Sequence, residues 1–322
     1  TRQVSLSYHA GQGDDDHMGE ATPTSSTSVR QRSQLALLIK TMRPKQWTKN
    51  VFVWAALVFD VKLFRSEPFL ATLAAFVLFC LISSAVYIIN DLVDMPKDRL
   101  HPEKRNRPLA SGALNPRIAI VAASIIVVGC LPWALAIGWQ LAAILYGYLL
   151  LMVAYTFRLK NIVIVDVLTI AAGFVLRVGA GVAVVNAERF SPWLYVCMAL
   201  LALFLGLGKR RQEIVLMHEN SASTRRILAE YNLRFVDEML SLVSASTVMA
   251  YATYTFSAPN LPENHSMMLT IPFVLYGIFR YLYLIHVKGE TDPPDVVVLK
   301  DRALLLDVLL FGVVVFLVFY IF

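Results

Sequence analysis

The chain has 322 residues, is 57% hydrophobic and only 16% charged, and carries a net charge of +6. Soluble domains are nearer a quarter charged, so a water-soluble globule is excluded and most of this surface must face lipid. The positive balance reads as asymmetry between two membrane faces and not as a nucleic-acid footprint. Three cysteines (Cys80, Cys130, Cys197) lie in apolar runs without a CxxC pair, which points to packing and to neither a disulfide framework nor zinc.

Residues 1–33 are polar and lack a basic-then-apolar signal peptide, and "GDDDHMGEATPTSSTS" has the composition of a disordered tail. His17-Met18 reads as a cloning junction, so the residues before Met18 are expected to be vector-derived. A single transmembrane domain is expected over 34–322. A span takes roughly 17–25 mostly apolar residues. Nine such segments follow, near 46–64, 69–90, 117–137, 138–157, 162–185, 192–208, 236–257, 267–286 and 302–322. The predicted fold is therefore all-α, a polytopic bundle of nine transmembrane helices with its termini on opposite sides. The N-terminal flank and the loops after segments two, four, six and eight hold nearly all the Lys and Arg, whereas the other side has only Lys62, Arg65 and Arg189. The positive-inside rule makes the first side cytoplasmic. Two loops of about 26 residues, after segments two and six, leave room for a four-helix unit used twice.

Just before the first segment, "MRPKQWTKN" combines Arg43, Lys45, Trp47 and Lys49. The tryptophan suits an interfacial anchor, and the bases are equally well placed to meet a lipid phosphate at headgroup level. After the second segment comes "NDLVDMPKDRLHPEKRNRPLASG", Asn90 to Gly112. Asp91, Asp94 and Asp98 are spaced i, i+3 and i+7, within roughly a 60° arc of one helix. Clustered carboxylates repel unless a cation sits between them. Oxygen-only ligands suit Mg²⁺, which takes one or two carboxylates and completes its shell with water and substrate phosphates. Arg99, Lys104, Arg105 and Arg107 suit the phosphate oxygens that the metal leaves free. Pro96 argues against a continuous helix at that point, which makes Asp91 and Asp94 safer metal ligands than Asp98. A plain charged cap with snorkelling side chains is the bland alternative.

This stretch resembles the first aspartate-rich motif of the UbiA superfamily of membrane prenyltransferases, and the resemblance extends over nearly all of the chain beyond residue 40. "HPEKRNRP", "RPKQWTKN", "LGKRRQE" (Leu207 to Glu213) and "LKDR" (Leu299 to Arg302) look like its decaprenyl-phosphate phosphoribosyltransferase branch. The resemblance implies a UbiA-like bundle with a cytoplasmic active site under the two long loops. It further implies Mg²⁺-dependent transfer of 5-phosphoribose from phosphoribosyl diphosphate to a polyprenyl (decaprenyl) phosphate, feeding cell-wall arabinan or glycolipid synthesis. The location implied is the cell (inner) membrane, with the lipid bilayer as a partner and no nucleic acid. Self-association as a homo-oligomer, with a trimer as a guess, stays open.

The second long loop departs from the aromatic prenyltransferases, which usually carry another aspartate-rich motif here. In its place stands "GKRRQEIVLMHENSASTRR", with Lys209, Arg210 and Arg211 at the helix exit and Glu213 beyond. A donor with phosphates at two ends, together with a lipid phosphate, needs cations at such a place; fixing topology is the simpler role. "YTFRLKN" adds Tyr155, Arg158 and Lys160 on the same face, where a plain cytoplasmic turn is favoured over substrate binding. Asp166 and Arg177 lie inside segment five, too far apart along one helix to pair; a role facing an interior cavity is the default, and an ion pair to a neighbouring helix the alternative. Arg280 and Asp307 read as a structural pair between segments eight and nine. His101 and His218 in the charged loops are not read as ligands.

Asn90 is expected to orient the Asp91 carboxylate or a metal-bound water. An acceptor phosphate with a second pKa near 6 is largely dianionic at neutral pH, so no general base is needed. Two rivals remain: a prenyltransferase moving a prenyl group from its diphosphate to an aromatic or lipid acceptor, and a transporter for an anionic solute.

Overall fold

A helix begins where a side chain can accept from its open N–H groups, and four helices here start in that way. Ser33 Oγ accepts from the Ala36 N–H at 3.3 Å and Asn115 Oδ1 from Arg117 at 2.9 Å. Asn232 Oδ1 accepts from Phe235 at 2.7 Å and Asp301 Oδ1 from Leu304 at 2.8 Å. The computed structural model describes residues 33–187, 191–219, 230–259 and 261–321, with the side chains of 217–219 and 295 left aside. These residues belong to one compact unit, Ser33–Phe322. Among them every regular element is helical.

In chain order the α-helices are α1 (Gln34–Met42), α2 (Ala55–Phe59), α3 (Ser66–Leu100), α4 (Pro116–Ile137), α5 (Trp139–Phe157), α6 (Val165–Val185), α7 (Pro192–Glu219), α8 (Leu233–Ser257), α9 (Ile271–His286), α10 (Pro294–Lys300) and α11 (Arg302–Tyr320). A 3-10 helix, Pro44–Trp54, joins α1 to α2. Among the described residues, seven helices are long and apolar enough to cross a membrane: α3, α4, α5, α6, α7, α9 with its preceding 3-10 turn, and α11. Of the two remaining predicted segments, one departs from a regular α-helix and the other keeps to one. Residues 46–64 fold as the 3-10 helix followed by the five-residue α2, and 236–257 lies in α8. Ser241, Ser244, Ser246 and Thr247 dilute the apolar content of α8, and each hydroxyl donates to the carbonyl four residues back.

α3 is the central strut: 56% of its apolar window is buried, against 22% in α4 and in α11, whose exposed Ile, Val and Leu side chains form an apolar outer surface. One core lies between α3, α5 and α6, around Phe79, Ile82, Leu145 and Tyr148. A second joins α7, α8 and α9 around Phe204, Leu207, Leu240 and Tyr281. The second needs Gly208, where a Cβ would lie 2.5 Å from Tyr281 Oη, so any larger residue would displace the tyrosine.

Two expectations are corrected here. α3 does not break at Pro96 but runs on to Leu100, so Asp98 keeps helical register with Asp91 and Asp94. A proline inside a helix loses one backbone bond, and the tertiary contacts of this end offset that loss. Arg280 pairs with Asp301 at 2.8 Å, and not with Asp307. Asp301 is the N-cap of α11, whereas Asp307 is buried further along that helix, with an oxygen 3.0 Å from where a Cβ on Gly277 would stand.

Candidate active site

The C-terminal end of α3 presents its three aspartates as the spacing requires, and each meets a base from a different part of the chain. Asp91, only 3% exposed, accepts through Oδ1 from Arg43 and from Arg107 Nη1 at 3.3 Å. Arg107 also donates through Nη1 to Asp98 Oδ2 at 2.7 Å, which folds the loop after α3 back over the helix end. Lys160 Nζ, in the turn between α5 and α6, bonds both oxygens of Asp94 at 2.7 and 2.9 Å. Arg43 occupies the left-handed region with φ 54°, an uncommon conformation for a residue other than glycine, and its guanidinium lies 5.0 Å from the Tyr87 ring centroid.

A second polar cluster forms where α6, α7 and the start of α8 converge. Asp166, fully buried, accepts from Arg210 Nε at 2.7 Å and from the Tyr231 hydroxyl at 2.8 Å. Arg210 also pairs with Glu213. The Tyr231 oxygen in turn accepts from the Ile164 N–H at 2.7 Å, and Ile164 has φ 69°, a strained value for a β-branched residue. Burial pushes the Tyr231 phenol up to about 12, so at neutral pH it remains a donor to Asp166. The expected alternative for Asp166, an ion pair to a neighbouring helix, is what the structure shows.

Other predicted residues are distributed around these clusters. Asn90 is half-buried beside Asp91. Lys45, Arg105, Arg158 and Lys209 are exposed; Lys49, Lys104 and Tyr155 are half-buried, with Tyr155 near enough to Arg210 to influence it electrostatically. Arg99 donates from Nε to the Ala110 carbonyl at 3.2 Å, holding the returning loop. His101 Nδ1 accepts from the Glu103 and Lys104 N–H groups, at 3.3 and 3.4 Å, and shapes that loop as a neutral ring. Burial and then Lys104 hold its pKa below the usual histidine value. Arg177 stands apart, bonded to Asn50, Gly173 and Tyr148 within the helical layer. His218 lies in α7 with its side chain left aside, and residues 220–229 of the second long loop lie outside the described residues.

Sequence reasoning treated Arg43 as a headgroup base and missed it as the partner of Asp91, 48 positions away. It missed Tyr231 entirely, since nothing in "AEYNLR" sets that tyrosine apart from others. The buried charge of Asp166 was the one usable signal for the second cluster.

Among the described residues no three His, Cys, Asp or Glu side chains converge as a ready-made metal cage. Mg²⁺ needs no such cage, since one or two carboxylates and substrate phosphates suffice. Asp91 and Asp94, one turn apart on α3 and ringed by Arg43, Arg107 and Lys160, have the donor chemistry for that arrangement.

The model of the UbiA prenyltransferase family matches residues 51–300. The decaprenyl-phosphate phosphoribosyltransferase of Corynebacterium glutamicum is 32% identical over 276 residues, covering 83% of this chain and 82% of that protein. The enzyme of the same name from Mycobacterium tuberculosis is 32% identical over 274 residues, covering 84% and 90%. A UbiA homolog from Archaeoglobus fulgidus, solved bound to GPP and Mg²⁺, superposes with a TM-score of 0.67 at 19% identity, covering 88% of this chain and 100% of that one.

Proposed function

The chain belongs to the UbiA prenyltransferase family, and from that premise we propose that it is a multi-pass membrane enzyme transferring 5-phosphoribose from phosphoribosyl diphosphate to a polyprenyl phosphate, with release of diphosphate. One observation carries the choice of this reaction over prenyl transfer. In the C-terminal half of α7, where a prenyl diphosphate would call for a second acidic motif, the chain has Lys209, Arg210 and Arg211, with Arg210 buried between Asp166 and Glu213. A basic second site suits a donor with a 5-phosphate as well as a diphosphate.

Mg²⁺, when bound, would neutralise the leaving diphosphate, with Asp91 and Asp94 as its protein ligands and Asp98 as a third candidate. Arg43, Arg107 and Lys160 already stand at ion-pair distance from these carboxylates, so they are at hand for the phosphate oxygens that enter. Asn90 orients the Asp91 side. Lys209 and Arg210, the latter paired with Glu213, are the candidates for the donor's 5-phosphate or the lipid phosphate. Lys45, Lys49, Arg99, Lys104, Arg105, Tyr155 and Arg158 flank the entrance as further phosphate contacts. The negative charge developing on the leaving diphosphate is stabilised by these fixed cations, and as the bond from ribose C1 to the diphosphate breaks the dianionic acceptor phosphate bonds to C1 without a general base. In this reading the chain makes nine crossings, the charged end is cytoplasmic and the C-terminus lies on the opposite side.

The test is incubation of purified protein with Mg²⁺, labelled phosphoribosyl diphosphate and polyprenyl phosphate, followed by mass analysis of the lipid. A phosphoribosylated lipid and released pyrophosphate are expected. Consumption of a prenyl diphosphate, with phosphoribosyl diphosphate ignored, would establish the prenyltransferase instead.

A further inference from the structure

The segment Pro44–Trp54 is a 3-10 helix of eleven residues, although such runs seldom exceed three or four. Nothing local explains this beyond Pro44 at its start, so the conformation is imposed from outside. Its spacing of three residues per turn puts Trp47, Asn50 and Val53 on one line, and each is held. Trp47 Nε1 donates to Ser84 Oγ at 3.0 Å. The fully buried Asn50 donates to Cys80 Sγ and Ser83 Oγ, both at 3.3 Å, and accepts through Oδ1 from Arg177 Nε at 2.8 Å. The Val53 carbonyl rests on Gly181, where a Cβ would be only 2.1 Å from the oxygen.

Arg177 and Gly181 lie one turn apart on α6, so a single helix face grips the segment twice. Arg177 is 6% exposed and, among the described residues, has no carboxylate partner. Its remaining bonds go to the Gly173 carbonyl and the Tyr148 hydroxyl, each at 2.8 Å, and the rings of Tyr148, Phe174 and Phe79 surround it. A buried cation in a span is costly, and all its bonding goes to neutral neighbours and to this segment.

The 3-10 form matters for reach. At about 2.0 Å per residue against about 1.5 Å in an α-helix, eleven residues gain roughly 5 Å of length. The far end is fixed, because Ala56 and Leu57 of α2 are wholly buried against Val185. Relaxation would therefore withdraw the near end, where Arg43 meets Asp91. We infer that Arg177, with Gly181, clamps Pro44–Trp54 in its extended 3-10 form and so sets the reach of Arg43 to Asp91. Arg177 is thus a positioning residue for an anion site roughly 16 Å above it, the eleven-residue rise along α3 from Cys80 to Asp91. The inference rests on the reading of the α3 end as a metal–diphosphate site.

The experiment measures binding of inorganic pyrophosphate with Mg²⁺ to the purified full chain. Arg177→Met and Arg43→Ala should each weaken binding by about tenfold or more, the scale on which loss of an orienting partner acts. The double variant should bind within about threefold of Arg43→Ala alone, because both changes remove the same contact. Gly181→Ala, which pushes the Val53 carbonyl away, should reproduce the loss, whereas Arg177→Lys should recover part of it. Unchanged affinity in folded Arg177→Met, or losses that multiply in the double variant, overturns the inference. Where Arg177→Met does not purify as folded protein, Asn50→Ala carries the same comparison. Wild-type protein that binds no pyrophosphate overturns the underlying site reading, an outcome distinct from a wild-type-like Arg177→Met.

Discussion

Asp91→Asn separates a catalytic role for the α3 aspartates from a structural one. The substitution keeps the side chain's size and removes its charge, leaving Arg43 and Arg107 facing a neutral amide. In the ligand-free protein the loss is modest: Asp91 is 3% exposed, but the Arg43 and Arg107 side chains are 29% and 28% exposed, so solvent screens part of each pair. A cost of about 1–2 kcal/mol follows, a fall of roughly 2–8 °C in melting temperature on the scale of globular domains. Turnover should fall much further. Loss of a partner that merely orients a metal ligand costs ~10–100-fold, so loss of a ligand itself should exceed ~100-fold. The assay pairs thermal melting in detergent with kcat/KM for phosphoribosyl diphosphate across a Mg²⁺ titration. Near-normal turnover at saturating Mg²⁺, with melting as predicted, would show that Asp91 is only a salt-bridge partner and would refute the metal assignment.

Lys160→Met should hardly change melting, since its pair with Asp94 is partly exposed, but should raise the donor KM about tenfold as a phosphate-binding cation is lost. Asp166→Asn should show the opposite pattern in stability. Its partner Arg210 is 3% exposed, so a buried cation loses one of two anions, at a cost of about 3 kcal/mol and a fall of roughly 6–12 °C. Arg234→Ala, which breaks an exposed helical pair to Glu238, should cost under about 0.5 kcal/mol in the same melting assay. Asp301 carries the pH prediction: its pair with Arg280 holds its pKa below the usual aspartate value, so its stabilisation is present above about pH 4 and is lost as pH falls through the lowered pKa. Melting of wild type and Asp301→Asn should differ near neutrality and converge in acid; a constant difference across that range would count against the pair.

Much of the fold is legible in local pattern. Long apolar runs bounded by Ser33, Asn115, Asn232 and Asp301 announce helices, because span length and end-capping depend on residues close in sequence. The first predicted span was less legible, because Pro44–Trp54 takes a conformation imposed by α3 and α6, whereas the seventh is the helix α8, whose hydroxyls bond its own backbone.

The candidate site divides in the same way. Three aspartates at helical spacing, with bases after them, can be read as a cluster without any knowledge of the fold, and the structure keeps all three in one helix. Which base meets which acid does not follow from that composition. Arg43 reaches Asp91 across 48 positions, Lys160 reaches Asp94 across 66 and Arg210 reaches Asp166 across 44. Charges of one sign are interchangeable as far as spacing is concerned, and Arg280 had Asp301 and Asp307 both within reach of sequence reasoning. Helix formation and composition are set by neighbours along the chain, so the sequence alone determined a helical membrane protein with an acidic end to its longest helix. Partner choice, the 3-10 segment and the isolation of Arg177 arise from side chains brought together across helices, and only the tertiary packing decided them.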